Sequence, residues 1–516
     1  MSLMIPRNFL CAGLGCGAVA AVFAAGCVLH GRALLNHDIA WLMIAAGRML
    51  AGGTYLRDFF EVNPPLAIAA YAPAFLLAED GHLPWQAAVT ACGAVLALLA
   101  SVLSAWVLDE GGARRACGRS WLVAGLLAGL LLLPGYDFLQ KEHLIVVLGL
   151  PFVFAMARAP DRAALAWPLR TCLSLLAVLG FFLKPHYAPL PFVLLALRAV
   201  RARSWAPLWS LEARVLLLGA AVYGVVVLCF YSEWLICARW AMDLYVAYQG
   251  ENMRRLLAVH GLIPGLVCLV LELLCYWRMP ALRHALEPML ACGAYAVAVY
   301  ALQFKGWDYQ FLPVLLFAYC GLVLTLVSTW PGDGESSRAM LAAALGLLLM
   351  SGAAVGAVRR MPGPPALDPL PQVLAAAHPG DAVYVFSFEL PPFLPSVPLS
   401  GLQWGSRYAH LWPLMRLARA EAGNGDADRA RLERLYHRPL IDSIIEDLRR
   451  YHAQLVIVDR RPVKSLPPDY DIVAGLVRDP MFAAVWKDYE RVGQVSAAGR
   501  PEFDIYWKSG PADAAQ

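Results

Sequence analysis

Twelve long apolar stretches constrain the fold of this chain more than any other feature of its sequence. They lie near residues 8–29, 64–78, 86–108, 120–134, 142–157, 171–183, 187–199, 214–231, 257–277, 288–303, 312–330 and 338–358. A helix that crosses a membrane needs about 20 apolar residues because the hydrocarbon layer is about 30 Å thick. Only 16% of the 516 residues are charged, whereas a soluble domain carries about 25%. The sequence therefore predicts a polytopic α-helical membrane protein.

The polar loops between these stretches alternate in composition along the chain. The loops that contain Arg114, Arg158, Arg201 and Arg278 are rich in arginine, which is typical of loops that face the cytoplasm. Aromatic and mixed-charge residues instead fill the intervening loops, 136–143, 184–187, 231–255 and 303–310. The alternation predicts that these intervening loops share the outer face of the inner (plasma) membrane.

Segment 64–78 breaks this alternation if it crosses the membrane. It has only 15 residues, opens with Pro64 and Pro65, and contains Pro73. We expect it to lie at the outer interface, so that about eleven spans remain and residues 31–85 form one large outer loop with interfacial helices. The N-terminus is then cytoplasmic. For residues 8–29 the alternative is a cleaved signal peptide, although the apolar run is long for one.

The composition changes from apolar to polar after Arg360. A small α/β domain of residues 361–516 is predicted to follow the membrane domain of residues 1–360. Its strand-like segments are 381–388, 453–459 and 503–508, and its helical segments are 441–452 and 471–487. An odd number of spans places this domain in the periplasm, outside the cytoplasm.

The cysteines and the net charge limit the kinds of site that the chain can hold. All twelve cysteines lie between Cys11 and Cys320, mostly in apolar stretches, and are expected to be small buried apolar residues. None has metal-ligand spacing. The net charge of +4 is small and scattered, so it gives no argument for a nucleic-acid partner.

The first outer loop carries charged residues that need partners or water so close to a membrane. For Arg57, Asp58 and Glu61 the alternatives are a hydrated loop with mutual ion pairs, or contacts with a substrate. His37 and Asp38 follow the first span directly. Asp38 opens an amphipathic helix, where it is either the N-cap or a general base that faces a sugar acceptor.

Three further outer loops concentrate polar residues at helix ends. The candidates for substrate contacts there are Asp137, Lys141, Glu142, His143, Lys184, His186, Lys305, Trp307, Asp308, Tyr309 and Gln310. Lysine is a compact cation that suits a phosphate oxygen, aromatic rings stack on sugars, and amides bind hydroxyls. The alternatives are a lysine that extends to the interface and aromatic residues of an interfacial belt. The coincidence of these groups on one face predicts a sugar-phosphate site.

Several of these motifs resemble the GT-C superfamily of polyprenyl-phosphate-sugar glycosyltransferases, including protein O-mannosyltransferases and lipid A aminoarabinose transferases. The likeness extends over roughly residues 1–330. It rests on Asn36-His37-Asp38, the Gly-x-x-Tyr-x-x-Asp-like stretch from Gly52 to Asp58, Asn63-Pro64-Pro65-Leu66, and the acidic second loop from Tyr136 to His143. Many members have two adjacent acids at the first site, whereas Ile39 follows Asp38 here.

The resemblance implies a fold, a reaction and roles for several residues. Asp38 would be the catalytic base on the acceptor, while Lys184, Lys141 and Lys305 would bind the phosphate of a polyprenyl-phosphate sugar. The acceptor would be an envelope glycan, lipid or protein, and a divalent metal ion is left open. Two alternatives from other classes are a membrane transporter or flippase, expected to show internal repeats or broken spans, and a non-catalytic envelope assembly protein.

Overall fold

The computed structural model describes most of the chain in two compact units. The described residues are 7–108, 113–158, 164–245, 256–259, 261–329, 337–361, 370–422, 429–463, 466–467, 470–497 and 500–509. The first unit, here called the membrane unit, comprises Met1–Leu34, Leu77–Val226 and Gly250–Pro364. The second, here called the α/β unit, comprises Leu35–Leu76, Val227–Gln249 and Pro365–Gln516.

α-Helices make up most of the described residues before the polar C-terminal part. They are α1 (Arg7–Gly31), α2 (His37–Leu50), α3 (Pro65–Ala69), α4 (Ala72–Glu79), α5 (Trp85–Val107), α6 (Ala113–Leu132), α7 (Lys141–Met156), α8 (Trp167–Phe181), α9 (Leu190–Ala202), α10 (Leu211–Phe230), α11 (Glu233–Leu244), α12 (Leu262–Arg278), α13 (Arg283–Gln303), α14 (Asp308–Ser328) and α15 (Ser337–Arg359). Eleven of these helices coincide with the eleven predicted spans. The other four are α2, α3, α4 and α11. The predicted fold class, a polytopic helical membrane protein with a small α/β part, is confirmed.

Length and composition alone qualify six of these helical segments to cross a membrane. They are Cys11–Gly31, Trp85–Val107, Leu211–Phe230, Pro280–Gln303, Asp308–Ser328 and Met340–Arg359. The other helices at predicted spans are shorter or less uniformly apolar, so the number of spans stays a prediction. Segment 64–78 forms α3 and α4, which are separate helices of 5 and 8 residues. Neither is long enough to cross a bilayer.

Helix α14 forms the core of the membrane unit. Of its most apolar stretch 78% is buried, compared with 17% in α10, and Phe311 and Phe317 are fully buried. Helices α7 and α8 approach each other closely at glycine. A Cβ atom on Gly180 would lie 2.9 Å from the Cβ atom of Leu148 and 3.2 Å from the carbonyl oxygen of Ile145. Close backbone approach of this kind is a common way for membrane helices to pack.

The cysteines depart in part from the expectation that they are buried apolar residues. Cys11 is disulfide-bonded, and Cys16, Cys172 and Cys229 are exposed on the outside of their helices. A stretch of helix that faces lipid tolerates an apolar side chain as readily as the core does, because lipid tails are as apolar as the interior. Apolar neighbours in the sequence therefore do not show whether a cysteine lies in the protein core or faces lipid.

The α/β unit contains one five-stranded sheet. Its strands are β1 (Ala382–Phe386), β2 (Gln403–Trp404), β3 (Leu455–Asp459), β4 (Tyr489–Ala497) and β5 (Arg500–Lys508), in the order β2-β1-β3-β5-β4. Strand β1 runs parallel to β2 and β3, while β5 runs antiparallel to β3 and β4. The predicted segments 381–388, 453–459 and 503–508 correspond to β1, β3 and β5. Both edge strands, β2 and β4, were missed because one is two residues long and the other carries polar residues.

Seven short helices accompany this sheet in the described residues. They are α16 (Leu370–Leu374), α17 (Phe393–Leu399), α18 (Trp412–Ala422), α19 (Arg429–Leu432), α20 (Arg438–Arg450), α21 (Ile472–Leu476) and α22 (Pro480–Trp486). The prediction of one helix over 471–487 is wrong. Asp471 and Asp479 each cap a new helix by accepting hydrogen bonds from two backbone N–H groups, and proline at the first helical position favours a second start at Pro480.

Candidate active site

The start of α7 places three ionisable side chains in the interior of the membrane unit. Lys141, Glu142 and His143 are 4%, 1% and 0% exposed. A carboxylate or ammonium in such a place costs several kcal/mol unless it is paired. Glu142 sits in the first turn of the helix, where the helix dipole favours a negative charge. These residues therefore need partners from other parts of the chain.

Lys184, in the turn after α8, is the partner of Glu142. Its Nζ atom donates a hydrogen bond to Oε1 of Glu142, and the two side chains are 11% and 1% exposed. The same Nζ atom lies 5.5 Å from the centre of the Tyr309 ring, within the range of a cation–π interaction. Lys184 is thus held by an acid and an aromatic ring, and it does not extend towards water as an interfacial lysine would.

Lys305 adds a third lysine to this group from the turn between α13 and α14. Phe304 and Gly306 on either side of it have φ values of +48° and +66°, which bend the chain sharply, and its Nζ atom lies 4.8 Å from the centre of the Trp307 ring. Burial and the nearby charges of Lys184 and Lys141 lower the pKa of Lys305 to about 7, while Glu142 opposes the shift.

The lysine cluster, here defined as Lys141, Lys184, Lys305 and their partner Glu142, joins three predicted outer loops. Lysine is rare in this chain: only six of its 42 basic residues are lysine, and all three that precede residue 361 lie in this cluster. Arginine provides all other cations before residue 361, so the use of lysine at these three positions is itself a signal in the sequence. Lys141, Lys184 and Glu142 are buried and Lys305 is half-buried. The net positive charge of the cluster therefore attracts an anion more strongly than it would in water, because the local dielectric constant is lower.

The remaining candidates of the membrane unit divide into structural and accessible residues. His143 is fully buried, and its Nδ1 atom accepts a hydrogen bond from the backbone N–H of Leu139 at 3.0 Å. Gln310 is also buried, and its amide donates to Oε1 of Gln303 at 2.8 Å. Both have clear structural roles. The candidates with surface accessible to a ligand are Asp137, His186, Trp307, Asp308 and Tyr309.

Asp38 lies in the α/β unit, at the second position of α2. The helix is capped by Asn36, whose side-chain oxygen accepts a hydrogen bond from the backbone N–H of Asp38 at 2.9 Å. The alternative that Asp38 is itself the N-cap is therefore wrong, because the chain enters the helix two residues earlier than expected. Asp38 is partly exposed. Burial lowers the pKa of His410 to about 4, and the negative charge of Asp38 opposes that shift.

Asp58 and Glu61 hold the loop between α2 and α3 in place. Asp58 accepts hydrogen bonds from Arg450 and from the backbone N–H of Thr54. Burial raises the pKa of Asp58, but these two hydrogen bonds outweigh it and the pKa is lowered. The carboxylates of Asp58 and Glu61 are both buried, and the hydrogen bonds that they accept fix the backbone of the loop.

Glu61 accepts from Nε1 of Trp41 at 2.5 Å and from the backbone and side-chain nitrogens of Asn63 at 2.7 and 2.6 Å. Arg57 differs from its neighbours because its side chain is 65% exposed and lies 4.0 Å from Glu446. The hydrated-loop alternative expected these charges to pair with one another, whereas Asp58 pairs with Arg450 of α20, Glu61 accepts from Trp41 of α2 and from Asn63, and Arg57 lies beside Glu446 of α20.

Among the described residues, no group of three or more histidine, cysteine, aspartate or glutamate side chains is arranged to hold a metal ion. The lysine cluster and the surroundings of Asp38 are therefore the two arrangements that bear on function.

Comparison with solved structures returns membrane proteins at low sequence identity. The crystal structure of ArnT from Cupriavidus metallidurans bound to undecaprenyl phosphate matches 97% of this chain and 98% of its own, with 15% identity and a TM-score of 0.49. The same protein in the apo state matches 95% and 96%, with 13% identity and a TM-score of 0.43. The arabinofuranosyltransferase AftD from Mycobacteria matches 95% of this chain, with 13% identity and a TM-score of 0.45. This chain spans only 40% of that structure's length. No protein-family profile and no curated protein sequence matches the chain.

Proposed function

We propose that this protein is an integral membrane glycosyltransferase that moves a sugar from a polyprenyl-phosphate donor to an envelope glycan, lipid or protein. The lysine cluster is the observation that carries the proposal. Three lysines and one glutamate lie together at helix ends of the membrane unit. Such a group is costly to bury without an anionic ligand. The polyprenyl-phosphate class of donor follows from the sequence resemblance.

The charge of the cluster suits the leaving group better than the donor. The donor phosphate is a diester with one negative charge, whereas the departing polyprenyl phosphate approaches two, since a phosphate monoester carries about −1.5 to −2 at neutral pH. Cations fixed near that phosphate therefore stabilise the transition state more than the bound donor. Lys184 is aligned by Glu142 and Tyr309 for this role, and Lys305 and Lys141 add charge.

Asp38 is assigned the role of general base on the acceptor. Its carboxylate takes the proton of the acceptor hydroxyl or amine while the acceptor atom bonds to the anomeric carbon. The bond from that carbon to the phosphate oxygen breaks at the same time, and the electron pair leaves with polyprenyl phosphate. Inversion at the anomeric carbon is the outcome that the resemblance implies. His37, next to Asp38, and Arg57, exposed on the same loop, are assigned to acceptor contacts.

The donor part of the proposal is tested with the lipid phosphate itself. Undecaprenyl phosphate is added to the purified full-length protein in detergent, and binding is measured by native mass spectrometry and by the rise in melting temperature. We expect binding in the wild type, at least tenfold weaker binding in Lys184→Met, and unchanged binding in Lys487→Met, an exposed lysine of the α/β unit. Equal binding by wild type and Lys184→Met would remove the lysine cluster from the proposal.

A further inference from the structure

We propose that Glu272, in helix α12 of the membrane unit, is a proton-binding site whose occupancy stabilises the packing of α12 against α14. The inference goes beyond the proposed function and does not depend on it. Three observations support it. Glu272 is completely buried without a polar partner, its carboxyl group fits a space left by a glycine, and its surroundings provide no positive charge.

Glu272 lies inside the membrane unit without a hydrogen bond to its carboxyl group. It is 0% exposed, and among the described residues neither Oε1 nor Oε2 has a hydrogen-bond partner. It precedes Arg278, the last residue of α12, by six residues, which places it about 9 Å from that end of the helix. Glu142 is buried to a similar extent but accepts a hydrogen bond from Lys184. An ionisable side chain inside a membrane domain is costly and is therefore a candidate functional residue.

Gly321 of α14 leaves the space that the carboxyl group of Glu272 occupies. A Cβ atom at Gly321 would lie 2.0 Å from Oε1 and 2.3 Å from Cδ of Glu272, so an alanine there would displace the carboxyl group. The two helices therefore meet at the carboxyl group itself. Their packing depends on the size and the charge of that group.

Glycines of α13 and α15 also bring those helices close to α12. A Cβ atom at Gly293 of α13 would lie 2.5 Å from Cδ2 of Leu269. The thiol of Cys268 donates to the carbonyl oxygen of Gly346 of α15 at 3.4 Å. Small residues allow membrane helices to approach closely. Together with α14, these helices account for the complete burial of Glu272.

The titratable side chains on which a charge at Glu272 would act provide no counter-charge. They are buried thiols: Cys268 and Cys275 of α12, Cys292 of α13 and Cys320 of α14. A thiol is neutral or negative and never positive. Helix α15 has no titratable side chain from Met340 to Val358. The hydroxyl of Thr325, one turn after Gly321, donates to the carbonyl oxygen of Gly321 at 2.9 Å.

These surroundings favour the neutral carboxylic acid of Glu272. A carboxylate that has no partner in a medium of low dielectric constant is so costly that the group keeps its proton instead. Ionisation would pass the proton to hydroxide, forming water, and would leave an unpaired negative charge at the contact with Gly321. Only water between α12 and α14 could then solvate the charge. Proton occupancy and the packing of these two helices are therefore linked.

Infrared spectroscopy of the purified full-length protein in detergent tests the protonation of Glu272. A protonated carboxyl group has a carbonyl-stretch band at higher wavenumber than the amide I band. Near neutral pH this band should lose intensity in Glu272→Gln and in Glu272→Met. Glu287→Gln is the matched control and should keep the wild-type band, because Glu287 is paired with Arg201 at 2.7 Å. Equal bands in wild type and both Glu272 variants would overturn the proposal.

Melting temperature against pH tests the link between the proton and folding. In the unfolded chain Glu272 ionises above about pH 4.3, whereas in the folded protein it keeps its proton, so unfolding releases a proton and is favoured by rising pH. Relative to Glu272→Gln, the folding equilibrium constant of the wild type should fall about tenfold per pH unit. The melting temperature of the wild type should fall accordingly, and Glu287→Gln should not show this trend relative to wild type. Parallel curves for wild type and Glu272→Gln would overturn the proposal.

A double substitution tests the contact between Glu272 and Gly321. In the wild-type background Gly321→Ala displaces the carboxyl group and should lower the melting temperature. In the Glu272→Ala background the added methyl group enters the space of the missing side chain, so the same change should lower the melting temperature less or raise it. Gly352→Ala, whose methyl group meets no atom within 4 Å, should act alike in both backgrounds. An equal effect of Gly321→Ala in the two backgrounds would remove the contact on which the proposal rests.

Discussion

The ammonium of Lys184 donates a hydrogen bond to the carboxylate of Glu142 within an interior where the two side chains are 11% and 1% exposed. The pair joins the turn after α8 to the first turn of α7. It leaves the positive charge of the lysine cluster only partly neutralised, because Lys141 and Lys305 lie near the same glutamate. The cluster therefore keeps a net positive charge that attracts an anion.

Removal of the acid from this pair has opposite effects on stability and on binding. Glu142→Gln leaves Lys184 buried without its counter-charge, which should cost roughly 3–5 kcal/mol and lower the melting temperature. The same change raises the positive charge of the cluster, so undecaprenyl phosphate should bind more tightly and restore part of the lost melting temperature.

Glu287→Gln is the matched control, because Glu287 pairs with Arg201 at side-chain exposures of 28% and 22% and such a pair contributes less. A melting temperature for Glu142→Gln that equals that of Glu287→Gln would contradict a buried, stabilising pair at Lys184.

Binding of undecaprenyl phosphate should depend on pH through Lys305. With its pKa lowered to about 7, Lys305 is protonated at pH 6 and mostly neutral at pH 8, so the cluster loses one cation as the pH rises. Affinity for undecaprenyl phosphate should fall several-fold over this range. Lys305→Arg stays charged throughout, and its affinity should stay level or rise, because the phosphate itself becomes more negative above about pH 6. Identical binding curves for wild type and variant against pH would contradict the role of Lys305.

The close approach of α7 and α8 depends on Gly180. An alanine there would bring a methyl group within 2.9 Å of the Cβ atom of Leu148 and within 3.2 Å of the carbonyl oxygen of Ile145, which should cost about 1–3 kcal/mol through overpacking. Gly224→Ala is the control, because its added methyl group meets no atom within 4 Å. Melting curves of the two variants in the same detergent should differ, with Gly180→Ala the lower.

Topology is tested by reporter fusion. A reporter joined after Arg115 should be active on the cytoplasmic side, because the arginine-rich loops alternate with the loops that supply the lysine cluster. A reporter joined after Lys508, at the end of β5, should be active outside. A fusion after Arg115 that is active outside would reverse the orientation and with it the side on which the reaction is proposed.

Much of the fold followed from local sequence patterns, and the long-range pairings did not. Apolar length located eleven helices, and alternation located β1, β3 and β5, because each pattern is contained within one element. Loop parity predicted that the segments of Lys141, Lys184 and Lys305 share one side of the membrane, and the fold brings the three lysines near one another. The partner of Glu142 required the fold, since parity gives a side of the membrane and not a contact.

The N-cap of α2 also could not be predicted from the local sequence. The expected N-cap was Asp38, whereas Asn36 fills that position, because two neighbouring residues with the same capping chemistry differ only in where the chain turns.

The most direct measurement of the central claim compares envelope glycans by mass spectrometry. Three strains are needed: one that lacks the gene, one complemented with the wild-type gene, and one complemented with Asp38→Asn at equal protein level. The account predicts a glycan or a glycan-modified lipid or protein that the wild type restores and Asp38→Asn does not. Full restoration by Asp38→Asn, or identical glycans in all three strains, would contradict it.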